Sequence, residues 1–273
     1  METRQLERII LLILLLVNAV LLGLLLGDRV TEASAERARE EMLRQLLADS
    51  GIELAPDLDL GQVSPHGCTV VRDLELEDQR MQGILGEHVR ADEGGGIWYY
   101  GSERGKIMMH GTGELTILPL GETAERRGSA REQSLALLRA SGLEPWTPPG
   151  QDPTGTDLPF CCCWNGSPVF NAVLTFSYAG DKLELVTGTT VFHRETARSP
   201  VRGMDAVSIL TAFAAAVKNQ GLICSRLTEL TPGYEMSVGL SGESALEPVW
   251  RLVMDTGECY LSAETGQIVR LQV

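Results

Sequence analysis

The stretch EPVWRLVMDTGECYLSAETGQIV, Glu247 to Val269, decides how the chain is read. Pro248 to Met254, Cys259 to Ser262 and Ile268 to Leu271 are short runs of strand character. Asp255-Thr256-Gly257 and Glu264-Thr265-Gly266 separate them, and such residues mark tight turns between strands. Tight turns imply an antiparallel meander, because parallel neighbours need a crossover of a dozen or more residues. Towards the amino end the same grammar recurs. Val169 to Tyr178 and Leu183 to Phe192 flank the hairpin turn Ala179-Gly180-Asp181-Lys182, while Ile97 to Tyr100, Lys106 to Met109 and Glu114 to Leu118 lie between glycine turns.

Helical segments punctuate these blocks. Leu46 to Ile52, Leu137 to Leu143 and Ala216 to Leu222 each carry a helix end, a glycine and then an apolar residue, as a Schellman-type ending requires. Met204 to Val217 is apolar but contains Asp205, Ser208 and Thr211, which suits a core helix. Cys68 to Glu77 reads as a strand whose Asp73, Glu75 and Glu77 form a solvated face, and Pro145 to Pro159 as a long loop. Helices segregated between strand blocks predict α+β sheets with a helix on one face, not a doubly wound parallel sheet. The break between halves falls near Gly121 to Gly128.

The amino end is of another kind. Ile9 to Gly27 has Asn18 as its one polar residue, and as a helix it would span roughly 28 Å, close to the hydrocarbon thickness of a bilayer. Ala33-Ser34-Ala35 offers a cleavage pattern. The apolar run is nevertheless longer than a signal-peptide core and ends abruptly at Asp28-Arg29, so an uncleaved signal anchor is expected. Arg4 and Arg8 favour a cytoplasmic start with the body outside. Ala19, Gly23 and Gly27, spaced four apart, would let a second helix approach closely, and Asn18 could serve a different neighbour. The expected organisation is a cytoplasmic tail (1–8), a single N-terminal transmembrane helix (9–27), a stalk helix (28–50) and an extracytoplasmic body. That body comprises two helix-plus-antiparallel-sheet halves, 51–124 and 125–273.

Composition narrows the function. An apolar share of 44% supports an ordinary core, and 23 basic against 37 acidic residues, net −14, argue against a nucleic-acid partner. Cys161, Cys162 and Cys163 make a poor disulfide framework, because neighbours on a strand point to opposite faces. Cys68, Cys224 and Cys259 lie in apolar patterns and read as buried thiols. One or two bridges, or a thiol enzyme centred on the triplet, stay open as alternatives. The sequence has no Cys-x-x-Cys, Gly-x-Ser-x-Gly or His-Glu-x-x-His, so no metal, cofactor or catalytic residue is expected.

The short basic start, the Leu/Ile-rich span with an Asn and the stalk sequence LLADSGIEL resemble the amino-terminal region of the YycI and YycH regulators. The stretch Glu247 to Val269 resembles the closing hairpin of PepSY-like and YycI-like domains. The resemblance implies a non-catalytic modulator at the cell membrane, working beside a sensor histidine kinase of a two-component system. The alternative it implies is a PepSY-type inhibitor or chaperone of an extracellular peptidase.

Overall fold

The computed structural model describes residues 38–125, 128–148, 155–239 and 242–272, of which 46% are strand and 24% helix. The strands are β1 Glu53–Leu54, β2 Cys68–Arg72, β3 Val89–Gly94, β4 Ile97–Ser102, β5 Gly105–Met109, β6 Glu114–Pro119, β7 Pro145–Trp146 and β8 Asp157–Trp164. They continue as β9 Ser167–Ala179, β10 Lys182–Thr189, β11 His193–Arg198, β12 Arg226–Val238, β13 Glu243–Met254, β14 Gly257–Ser262 and β15 Ile268–Gln272. Helix α1 covers residues 38–49, followed by α2 Leu74–Leu85, α3 Ala130–Ala140 and α4 Ala206–Gln220.

All these strands join one hydrogen-bonded sheet, whose main path runs β11-β2-β13-β12-β9-β10-β6-β5-β4-β3. Pairing is antiparallel except where β1 meets β12 and where Tyr234 of β12 meets Val169 of β9. The expected body of two α+β halves is therefore corrected to a strand-dominated fold built on a continuous sheet, and no described helix supports the expected single transmembrane helix. No seam falls at residues 121–128, since β6 before it pairs with β10 after it, Ile117 opposite Val186. The long strands make this continuity possible. One edge of β13 holds β2 along Glu243–Leu246 and β14 along Val249–Met254, while β12 lines the other edge. The closing strands β13, β14 and β15 form an antiparallel meander.

No described helix is long and apolar enough to cross a membrane. The stretch 9–27, with Asn18, Ala19, Gly23 and Gly27, lies outside the described residues.

Two helical layers cover the sheet. Met81 and Ile84 of α2 and Leu138 of α3 pack with Tyr100, Ile107, Phe176 and Val186. Leu43 and Leu47 of α1 join Ile209 and Phe213 of α4 over Trp250, Leu252 and Leu261, each fully buried large side chain contributing about 1.5–3 kcal/mol. The segment read as a stalk is thus, over 38–49, part of the body. Its helix ends as the sequence predicts: Gly51 has φ 76° and the Ile52 amide donates to the Leu47 carbonyl at 2.8 Å.

The reading of Cys68 to Glu77 as one strand is also corrected. Asp73 stops β2 and caps α2, its carboxylate accepting from the amides of Glu75 and Leu76. The helix turns Glu77 inward, where it is 1% exposed.

Candidate functional site

Strand periodicity builds one wall of the candidate site. Arg251 lies opposite Tyr260, and Tyr260 opposite Arg270, so the three side chains share one face across β13, β14 and β15. Their neighbours Leu252, Cys259 and Leu261 turn the other way into the core with α4. The second wall comes from β7, β8 and β9, which bring up Trp146, Cys161 and Phe170. Between the walls is a cleft of about 820 Å³.

The charged wall is tightly organised. The Arg251 side chain is 2% exposed. Its Nε donates to Glu258 Oε2 at 2.9 Å, its Nη2 to Glu258 Oε1, and its Nη1 to Glu229 Oε2 at 2.9 Å. Tyr260 donates its hydroxyl to Glu258 Oε2 at 2.6 Å. Such a fork fixes geometry as well as charge. Burial by itself would lower the Arg251 pKa, yet the bonds to Glu258 and Glu229 outweigh it and leave the guanidinium raised. The Arg251 hydrogen bond holds Glu258 below the usual carboxylate range against its own burial. Burial and then the bond to Glu258 push Tyr260 up to about 12.

The aromatic side is equally ordered. Trp146 meets Phe170 edge-on at 5.8 Å, and Phe170 meets Tyr260 at 5.4 Å. The Arg270 guanidinium carbon lies 3.7 Å from the Tyr260 ring centroid. Arg270 Nε is 2.9 Å from Glu235 Oε1, an ion pair without hydrogen-bond alignment, and neither Nε nor Nη2 makes a hydrogen bond.

At neutral pH this wall holds fixed charges and a protonated phenol. It is suited to recognition, since Arg251, Glu258, Glu229 and Tyr260 already satisfy one another. Cys161 reaches the cleft, but its thiol donates to the Val169 carbonyl at 3.1 Å and is raised by burial, then by Cys162 and Cys163. Burial likewise pushes Cys162 to about 11 and Cys163 to about 12, the opposite of what a reactive thiolate requires. Among the described residues, no group of three or more His, Cys, Asp or Glu is placed to hold a metal ion.

The expected helix–helix residues, Asn18, Ala19, Gly23 and Gly27, lie outside the described residues, so no contact of theirs is described. The Cys triplet divides as a strand should: Cys162 is buried and its neighbours are half-buried. Sequence reasoning missed Arg251, Tyr260 and Trp146. The available signal was an arginine inside the apolar strand Val249 to Met254, with Glu258 just across a tight turn. It also missed a second polar cluster away from the cleft, in which Glu77 accepts from Arg72 and from the Tyr100 hydroxyl beside buried His193.

No family model and no curated protein matches the chain. Among solved structures it is similar to an uncharacterized protein from Eubacterium rectale ATCC 33656, with 10% identity and a TM-score of 0.47. That likeness covers 81% of this chain and 91% of the other.

Proposed function

We propose that the protein is a non-catalytic regulator that works by contact at the outer face of the cell membrane, beside a sensor histidine kinase, with the cleft as its partner-binding surface. The observation that carries this reading is the saturated arginine–carboxylate wall facing aromatic rings, which offers shape and fixed charge but no group poised for proton transfer. The apolar leader and the resemblance to YycI and YycH regulators support the membrane setting and the kinase. The raised thiols speak against the thiol-enzyme alternative.

The test is genetic. A deletion strain is complemented with the wild-type chain or with Trp146→Ala/Tyr260→Ala at equal expression, and transcription is read genome-wide. Deletion should shift the genes of one response regulator, and the double variant should fail to restore them. No such shift, or full restoration by a double variant of native fold, would overturn the proposal. Inhibition of an extracellular peptidase by the purified protein would favour the PepSY-type alternative instead.

A further inference from the structure

Apart from the two-residue strands β1 and β7, three strands have one side unpaired among the described residues: β3, β11 and β15. An unpaired edge is a template for another strand, and proteins guard such edges with charge. Strand β3, VRADEG, carries Arg90, Asp92 and Glu93, and β11, HRETAR, carries Arg194, Glu195 and Arg198. Strand β15, IVRLQ, has only Arg270, and that side chain lies over the Tyr260 ring. Val269 and Leu271 beside it are 46% and 40% exposed. Of the three edges, β15 is the unguarded one, and it borders the cleft.

We infer that β15 receives an extended, uncharged segment of a partner polypeptide by strand addition, with alternate side chains of that segment entering the cleft. The inference rests on the reading of the cleft as a partner surface. Main-chain pairing supplies affinity in such complexes, and a pocket for every second side chain supplies selectivity. Here the pocket is the cleft that Trp146, Phe170 and Tyr260 help to line, and their rings suit apolar or aromatic groups. Arg270 indicates the polarity of the segment. Glu235 already provides its countercharge, so a carboxylate on the incoming segment is unnecessary. The net charge of −14 also repels an acidic strand. A second copy of this chain is a poorer occupant: antiparallel pairing centred on β15 would set two Arg270 side chains face to face.

The experiment pans a phage-displayed library of random 12-residue peptides on the full chain in detergent, then follows hydrogen exchange with a selected peptide. The expected result is enrichment of uncharged peptides with apolar residues at alternate positions, and slowed exchange of the 268–272 amides. Val269→Lys should weaken binding about tenfold or more without changing the melting temperature. No enrichment, slowed exchange only away from 268–272, or protection that depends on protein concentration without peptide would overturn the inference. The functional proposal fails separately. If Trp146→Ala/Tyr260→Ala abolishes the transcriptional effect while β15 takes no peptide, the regulator reading stands and strand addition does not.

Discussion

Replacing Glu77 with alanine removes the acceptor of three hydrogen bonds at once. Arg72 donates Nε at 2.6 Å and Nη2 at 2.7 Å, and Tyr100 donates its hydroxyl at 2.6 Å. The Glu77 side chain is 1% exposed and that of Arg72 14%. Breaking a buried ion pair by deleting one partner costs about 3–5 kcal/mol. The lower part of that range applies, because Arg72 keeps the Gly96 carbonyl at 2.8 Å. Stranding the Tyr100 hydroxyl costs about 1–3 kcal/mol more, but the groups form one network, so the costs overlap. The expected loss is about 4 kcal/mol, which lowers the melting temperature by roughly 8–16 °C in a body of this size. Urea unfolding followed by tryptophan fluorescence measures it. Tyr100→Phe, which spares the ion pair, should cost only about 1.5–3 kcal/mol. A Glu77→Ala loss below about 1 kcal/mol, or strict additivity of the two variants, would refute the buried-network account.

Other outcomes follow from single residues. Burial, then Arg72, lowers the His193 pKa, with Glu77 opposing. As pH falls below the unfolded value of 6.5, the unfolded chain gains a proton that the native state refuses, so stability drops until the native pKa is passed. His193→Leu should flatten the stability curve below pH 6.5, and an unchanged slope would contradict this. Gly83 of α2 sits so close to α3 that an added Cβ would lie 1.8 Å from the Ala140 carbonyl oxygen. Gly83→Ala should therefore cost about 1–3 kcal/mol in thermal melts, whereas helix propensity alone predicts a gain. Burial raises all six thiols. Iodoacetamide should label them slowly at pH 7, half-buried Cys161 and Cys163 first, and rapid labelling of any one in the folded protein would be inconsistent with that.

Features set by neighbouring residues were readable in advance. The turn at Asp255-Thr256-Gly257 and the left-handed glycines Gly51, Gly142 and Gly221 depend on a few adjacent φ/ψ angles, and those leave a mark in the sequence. Choice of strand neighbour leaves none. Alternation says which face of β6 is apolar, but not that β10 pairs with it across the Gly121 to Gly128 break. The Asp73-x-Glu75-x-Glu77 spacing suits a solvated strand face and a capped helix start equally well, so the inward turn of Glu77 could not be read. The cleft was hidden for a similar reason. Trp146 and Tyr260 are far apart in the chain, and only the folding of the sheet sets β7 and β14 around one hollow.

The shared core of α1 and the closing meander ties the first described helix to the last strands of the chain. Leu43 and Leu47 are synthesised early, and Trp250 and Leu261, which they help to cover, come more than 200 residues later. At ribosomal rates that interval is roughly 10–40 s. During it the early helix can reach Ile52, Leu58 and Leu60 and, later, Ile209 and Phe213 of α4, but not the meander that completes its cover. A chain stopped before β14 would therefore lack Cys259 and Leu261, part of the surface on which its opening helix rests.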